Sequence, residues 1–429
     1  MSAQPPPTRA ACSVASSRDL ATVAHPDIAD TTVLELPIVV APAEATVGAP
    51  EAARIGFLSD MPMGGSLGGL DPIILAFEDA ISEGRVARPI ELLASHVVGL
   101  PVGQAENVIA AYRDLVDQGC LLVLSVGVTN NALVLRDVIN EAKVPYITMA
   151  GTTQFTGDYC FSLANGGHGE EAAILAAYLA DQGYLKVVLI GEGTVGDAEY
   201  HRFFTEQAAL YGIEILEATY FEQAPTDDEL DRVLLHARDT LTPDALVYCG
   251  FGLNSAQINP ALERIGWDPP KIMNSAIMWA FSGPTWMAAL EGWVGIEQSL
   301  ADHEDGEKNP NWSALLDRYE RRFGSRSDST MIALLYDQGR AAMEALANAP
   351  DLTGEGVAQG LERIKMMPST LGGPRTYIGY GPRDHRGYRG DFMFMKQIRD
   401  GQFHFVSYHW PQWPINRADP AASAPPSSM

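Results

Sequence analysis

From residue 54 to residue 273, short apolar runs alternate with longer stretches whose apolar positions recur at helical spacing. Ile55-Gly56-Phe57-Leu58 reads as a first strand. A glycine-rich loop, Met63 to Gly69, follows it. Pro72 to Glu83 reads as a helix, with Pro72 near its start and Ile73, Ile74, Phe77, Ala80 and Ile81 on one face. Pro89–Leu93 is a second strand, and Ala105–Gln118 a helix with Val108, Ala111, Tyr112 and Leu115 on its apolar side. The next strand, Leu121–Leu124, leads into the polar turn Val128-Thr129-Asn130-Asn131. A helix Ala132–Ala142, a strand Val144–Thr148 and the turn Ala150-Gly151-Thr152-Thr153 complete a βαβ unit.

A second alternating run starts after Gly166-Gly167. Its expected helices are Glu170–Gln182, Ala198–Tyr211, Asp227–Thr240 and Ser255–Ile265. Its expected strands are Lys186–Ile190, Ile213–Phe221, Ala245–Tyr248 and Lys271–Met273. Alternation on this scale means parallel sheets with helices on both faces, and two runs mean two such lobes. Asn311–Phe323 and Ile332–Leu346 read as further helices. Phe392–Gln397 and Phe403–Tyr408 form a hairpin pattern with Asp400-Gly401 at the turn.

In a βαβ unit both polar turns emerge at the carboxyl ends of the strands, where open α/β sheets hold small ligands. Thr129 and Thr152 offer hydroxyls there, and Gly151 a backbone N–H. Such donors suit a carboxylate guest. The competing reading is two ordinary loops rich in turn residues.

Composition narrows the classes. The 429-residue chain is 46% hydrophobic and 19% charged, with a formal net charge of −25. A surface so acidic repels nucleic-acid phosphates and anionic membranes, so no nucleic-acid partner is expected. No apolar run reaches the ~20 residues of a membrane-spanning helix. Residues 1–50 are rich in Ala, Pro, Ser and Thr and read as a disordered leader, and residues 413–429 as a disordered tail. Asp27 and Asp30 stand where an export signal would carry positive charge, and no hydrophobic segment precedes Cys12. As written the chain reads as cytoplasmic. Four cysteines are no disulfide framework in a chain this size. No His/Cys cluster suggests a metal, and His303-Glu304-Asp305-Gly306-Glu307 reads as a solvated charged loop. No cofactor is expected.

Two motifs invite enzymatic readings. Gly191-Glu192-Gly193-Thr194-Val195-Gly196 fits the dinucleotide fingerprint, with Glu217 in the following strand where a ribose-binding acid would sit. Gly64-Gly65-Ser66-Leu67-Gly68 contains the hydrolase pattern G-x-S-x-G, but Ser59 to Met63 separate it from the preceding strand. Trp279, Phe281 and Trp286 cluster after the last strand of the second run. They fit either packing beneath a connection or the aromatic wall of a cleft, and Tyr336 divides the same way.

Taken in order, several stretches resemble the branched-chain amino acid (leucine/isoleucine/valine) binding family of ABC-transporter solute receptors, which has the type I periplasmic binding protein fold. They are Arg54-Ile55-Gly56-Phe57 with its glycine-rich loop, Glu78-Asp79-Ala80-Ile81, the stretch Val123 to Thr152, and Lys186-Val187-Val188-Leu189-Ile190 followed by Gly196. Pro243-Asp244-Ala245-Leu246-Val247, Leu335-Tyr336-Asp337 and Asp400-Gly401-Gln402-Phe403 continue the series. The resemblance covers about residues 54 to 408.

It implies an α/β chain of two Rossmann-like lobes joined by three crossovers and closing over a ligand. Lobe 1 is expected at 52–166 and 293–375, and lobe 2 at 167–292 and 376–412. The positions that grip a ligand carboxylate fall on Thr129, Ala150, Gly151 and Thr152. The position that supplies a carboxylate to a ligand ammonium falls on Ala276, which cannot pair a charge, although Glu192 or Glu291 could take over. Aromatic positions fall on Val195 and on Phe251, with Met278, Trp279 and Tyr336 lining the rest. The implied ligand is a less polar carboxylate or amide rather than a free α-amino acid. The implied activity is non-catalytic solute binding, and the resemblance implies a periplasmic or other extracytoplasmic location, with an ABC permease as partner if the chain is exported. The alternatives are a cytoplasmic sensor of the amide-sensing kind and a nucleotide-dependent enzyme built on Gly191–Gly196.

Overall fold

A computed structural model describes residues 12–14, 33–42, 51–60, 69–101, 103–125, 127–164, 166–221, 224–301, 307–326 and 329–408. The chain divides into two compact units. The first comprises the described residues up to Gly167 with Gln298–Met393. The second comprises His168–Glu297 with the described residues from Phe394 onward. The chain therefore passes between units three times. Residues 376–393, expected in lobe 2, lie in the first unit, and 293–297, expected in lobe 1, lie in the second.

The first unit is built on strands β1 (Cys12–Val14), β2 (Val33–Pro42), β3 (Ala53–Ser59), β4 (Ile90–His96), β5 (Cys120–Ser125), β6 (Tyr146–Thr148) and β7 (Cys160–Ser162). Helices α1 (Asp71–Ser82), α2 (Ala105–Asp117) and α3 (Thr129–Ala142) alternate with them. The sheet order is β1-β2-β4-β3-β5-β6-β7. Strands β4 to β7 and β3 run parallel, whereas β1 and β2 add an antiparallel edge. Val33–Pro42, expected within a disordered leader, is thus a strand paired along β4. The remainder of that leader outside β1 and β2, and the expected tail, lie outside the described residues. The central strands are apolar on both faces because helices cover both: Ile55, Leu58, Leu122, Val123 and Leu124 are all buried.

The second unit opens with α4 (His168–Gln182). It continues through β8 (Lys186–Glu192), α5 (Val195–Leu210), β9 (Glu214–Phe221), α6 (Asp227–His236), β10 (Ala245–Tyr248), α7 (Ile258–Ile265), β11 (Lys271–Met273), α8 (Pro284–Ala289) and β12 (Val294–Glu297). The chain returns to the first unit for α9 (Pro310–Phe323), α10 (Thr330–Asn348), α11 (Gly354–Glu362) and a small sheet of β13 (Met367–Pro368), β14 (Tyr377–Ile378) and β15 (Tyr388–Arg389). That small sheet is held to the first unit where the Ser162 N–H donates to the His385 carbonyl at 2.9 Å. This attachment explains why 376–393 stays there. The chain ends in the second unit with β16 (Phe394–Arg399) and β17 (Gln402–Ser407), the expected hairpin. Asp400 and Gly401 both have positive φ, as its tight turn requires.

The second sheet has the order β17-β16-β12-β11-β10-β8-β9. Each sheet thus contains one point where successive parallel strands are laid down on opposite sides: between β3 and β5 in the first unit, and between β8 and β10 in the second. At such switch points the flanking loops diverge and leave room for a ligand.

Two of the three passages run through neighbouring strands, β12 and β16, which pair antiparallel. Here Lys396 Nζ lies 3.2 Å from Glu297 Oε2, with side chains 2% and 1% exposed. Removing one member of such a pair strands a charge in a low-dielectric site. We expect Lys396→Met to destabilise the protein by about 3 kcal/mol or more, and Lys396→Met with Glu297→Met to recover most of that loss. Chemical denaturation of the three proteins checks this.

Candidate ligand-binding site

At the first switch point β3 ends at Ser59 and the next residue, Asp60, is fully buried. Its Oδ2 accepts the Val128 N–H at 3.0 Å, across the gap to the loop after β5. Burial raises its pKa to about 6, against bonds from the Asn131 side chain and Val128 that favour the ionised form. Oδ1 has no hydrogen-bond partner among the described residues. Asn131 is buried too and ties down the loop before α2. Its Oδ1 accepts from Leu100 N at 2.8 Å, and its Nδ2 donates to the Leu100 carbonyl at 3.2 Å.

With Val128 pinned, α3 begins at the next residue, Thr129, three residues earlier than the apolar pattern predicts. Thr129 is half-buried and its hydroxyl makes no hydrogen bond among the described residues. The loop after β6 is braced from within: Ala150 N donates to Thr148 Oγ1 at 3.1 Å, and Gln154 N to Thr152 Oγ1 at 3.1 Å. Gly127 has a φ of +42°, and a Cβ there would lie 1.9 Å from Thr148 Oγ1, so only glycine lets these two loops approach. The braces leave the N–H groups of Gly151 and Thr152 without an acceptor, and the Thr152 hydroxyl without a bond that it donates, among the described residues. Thr129, Ala150, Gly151 and Thr152 are thus brought to one edge.

Tyr336 is not with them. It sits on α10 with its hydroxyl donating to Asp79 Oδ2 and accepting from Arg318 Nη2, both at 2.7 Å. Asp79 lies in the second half of α1, which runs back from the carboxyl edge toward the amino ends of the strands.

The second switch point repeats the first with more acid. Glu192, the last residue of β8, is 5% exposed. Its Oε1 accepts from the Tyr248 hydroxyl, from Gly252 N at 3.0 Å and from Asn254 N at 3.2 Å, all across the gap to β10 and its loop. Its Oε2 has no hydrogen-bond partner among the described residues, and a Cβ at Gly250 would lie 2.0 Å from it. Asp197 in the first turn of α5 accepts from Thr194 Oγ1 at 2.5 Å. Burial and mutual repulsion raise the pKa of Glu192, and burial raises that of Asp197. Glu171 on α4 accepts from Ser275 N at 2.7 Å and Ser275 Oγ at 3.0 Å, and burial pushes its pKa to about 7. His168 Nδ1 lies 2.9 Å from Glu199 Oε2. Glu171, Glu192, Asp197 and Glu199 are all buried at this edge, with the imidazoles of His168 and His201 beside them.

Phe251, Met278 and Trp279 stand on the same edge. Trp279 Nε1 donates to the Phe251 carbonyl at 2.8 Å, the two rings meet edge to face at 5.4 Å, and Trp286 stacks on Trp279 at 5.1 Å. Phe281 is elsewhere, stacked on Phe403. Ala276 is buried, and a Cβ on Gly252 would lie 2.8 Å from its methyl group. It pairs no charge. Val195 is 68% exposed.

The dinucleotide fingerprint serves another purpose here. The N-terminus of α5 is capped by the Thr194 hydroxyl, which accepts from Asp197 N at 3.3 Å. Glu192 and Asp197 place negative charge where a pyrophosphate would sit. Glu217 is 3.3 Å from His236. Ser66 and His303–Gly306 lie outside the described residues. Asp60, Glu171, Asp197, Glu199 and His168 were not expected at the edges, and Glu192 only as a substitute. One signal was available: Asp60 and Glu192 each close an apolar strand at the same place in the two alternating runs.

A family profile described as periplasmic binding protein matches residues 101–402. The chain belongs to this family. No curated protein sequence matches it. Among solved structures, this periplasmic binding protein is similar to a leucine-binding protein from Thermotoga maritima (16% identity, covering 84% of this chain and 99% of that one, TM-score 0.68). It is also similar to an ABC-transporter substrate-binding protein from Desulfitobacterium hafniense in complex with leucine (18% identity, 83% and 100%, TM-score 0.67). A third likeness is to a branched-chain amino acid transporter substrate-binding protein from Streptococcus pneumoniae in complex with isoleucine (18%, 83% and 99%, TM-score 0.66). The fold is the type I periplasmic binding fold, and the expected fold class holds.

The raised pKa values of the buried acids predict a pH dependence of stability. An acid whose pKa is raised on folding holds its proton more tightly in the folded state. Its contribution to stability is present below the unfolded value and is lost as pH rises through the folded one. For Glu171 that window runs from 4.5 to about 7. Across it, the unfolding free energy should fall by on the order of 1–3 kcal/mol more in the natural protein than in Glu171→Gln. Denaturant titrations over a pH series check this, and parallel curves would refute it.

Proposed function

We propose that this chain is a non-catalytic solute-binding protein that takes a small carboxylate- or amide-bearing ligand, an amino acid or a close relative, for an ABC-type permease. One observation carries the ligand chemistry. The first unit's carboxyl edge presents the Thr129 hydroxyl and the Gly151 and Thr152 N–H groups, none with an acceptor among the described residues. Donors held in place by braced loops suit a carboxylate or amide oxygen and need no rearrangement to bind it.

The second edge supplies the complementary chemistry. Glu192 and its neighbouring acids accept from N–H groups, and Phe251, Met278 and Trp279 offer apolar surface. This changes the earlier expectation about ligand charge. Ala276 cannot pair an ammonium, whereas Glu192 on the same edge has a buried oxygen, packed against Gly250, without a hydrogen-bond partner among the described residues, and we assign it as the candidate acceptor for an amino group or an amide N–H. The leucine- and isoleucine-bound neighbours support an amino-acid-like ligand, and the family supports delivery to a permease.

A thermal-shift screen of the full chain tests the reading. The panel holds branched-chain and aromatic amino acids, the matching acids and amides, and nucleotides. A ligand at a hundred times its dissociation constant adds about 2.7 kcal/mol to stability. We expect hits among amino acids or amides, none among nucleotides, and affinity weakened by about tenfold in Thr129→Val and in Glu192→Gln. A dinucleotide hit, or a ligand indifferent to both substitutions, would overturn it.

A further inference from the structure

The small sheet of the first unit carries a charge opposite to that of the chain. The whole sequence has a formal net charge of −25, whereas residues 362–391 hold six Lys and Arg against three Asp and Glu. The sheet gathers four of those cations round one turn. Gly381 and Asp384 exchange backbone hydrogen bonds, Gly381 N donating at 2.9 Å and Asp384 N at 3.1 Å, so Pro382 and Arg383 form the tip between them. Lys365, two residues before β13, reaches the same turn, where its Nζ donates to the Tyr380 carbonyl at 2.9 Å. Arg389 of β15 and Arg386 both reach Asp384: Arg389 Nη2 lies 2.8 Å from Oδ2, and Arg386 Nε 3.7 Å from Oδ1.

Four cations thus surround one carboxylate. Arg383 has no carboxylate at ion-pair distance among the described residues, and the Lys365 ammonium has a carbonyl rather than an acid as its partner. Lys365, Pro382, Arg383, Asp384 and Arg386 are all exposed. A Cβ on Gly381 would meet nothing within 4 Å, so the tip is convex and open. Met366, next to Lys365, is 73% exposed, more than any other large apolar side chain among the described residues.

A convex tip cannot enclose a small anion, and its spread of charge suits a broad anionic surface. An exposed thioether side chain beside the cations suits a surface with an apolar layer under its charges. We infer that this tip docks on the headgroup layer of an anionic phospholipid membrane, with Met366 reaching below the headgroups. An acidic protein face would also answer the cations, but a fluid headgroup layer yields to a protruding tip and a packed protein face does not. The net charge of −25 does not forbid this contact. At 0.15 M ionic strength the Debye length is about 8 Å, so charges farther from the lipid than that are largely screened. The inference stands on the first unit's surface and holds whatever the edge site binds.

Co-sedimentation of the full chain with lipid vesicles tests it. One set is phosphatidylcholine alone, and the other is phosphatidylcholine mixed equally with phosphatidylglycerol. At about 0.15 M salt we expect binding to the mixed vesicles only, lost at about 1 M, where the Debye length is about 3 Å. Arg383→Gln combined with Arg386→Gln should weaken binding about thirtyfold, and Met366→Ser about fivefold. Asp384→Asn removes the one acid and should strengthen binding about fivefold, a gain that a structural role for this turn would not produce. These side chains are exposed, so the variants should melt as the natural protein does. Absence of binding to the mixed vesicles, equal binding to both sets, or binding indifferent to the substitutions would overturn the inference. Self-association without vesicles, abolished by the double substitution, would also overturn it and assign the tip to the acidic surface of a second copy.

Discussion

Each sheet carries at its switch point a buried carboxylate that accepts backbone N–H groups from the loop across the gap. Asp60 takes Val128 N in the first unit, and Glu192 takes Gly252 N and Asn254 N in the second. Backbone donors at diverging loops need acceptors, and a carboxylate is the strongest one available. These bonds settle where the loops after β5 and β10 run. Thr129 directly follows the residue that Asp60 holds, and Phe251 directly precedes one that Glu192 holds. The residues that could touch a ligand are therefore placed by residues behind them. The cost is visible as raised pKa values, with desolvation working against ionisation at both places.

The two units share this device but present opposite chemistry. The first edge ends in donors: a hydroxyl and two N–H groups, held open because the loop's side-chain oxygens brace other backbone atoms. The second ends in acceptors and aromatic surface, with four buried carboxylates beside two imidazoles. The first edge's donors suit an oxygen-bearing group, and the second edge's acceptors suit N–H groups. The acidic edge also explains why the glycine-rich turn at Gly191–Gly196 is no phosphate cradle. The helix N-terminus that would face an anion is already capped by its own Thr194 and crowded by Asp197.

Most of the regular elements follow from periodicity, because a strand covered by helices on both faces must be apolar throughout and its helices must carry one apolar stripe. The misses fall where no such run is present. β7 and β12 span only Cys160–Ser162 and Val294–Glu297, too short for a period to show. Val33–Pro42 is apolar apart from Glu35, but it stands alone in an Ala-, Pro-, Ser- and Thr-rich stretch and pairs at the antiparallel edge of the sheet, so no alternating run announces it. The 376–393 segment joins the first unit through β-bridge contacts to β7, which no local pattern announces.

The sequence by itself determined the alternation of strand and helix, the two runs, the family resemblance and the turn residues at the carboxyl edge of the first sheet. Each of these depends on residues close together in the chain. Only the tertiary structure decided which carboxylates are buried, that Glu192 faces the switch point rather than a phosphate, and that Tyr336 belongs to a separate cluster with Asp79 and Arg318. Those outcomes rest on partners 68 residues apart for Asp60 and Val128, 60 for Glu192 and Gly252, and 257 for Tyr336 and Asp79. Burial and pairing across such separations are properties of the packed chain, and no window along the sequence contains both partners.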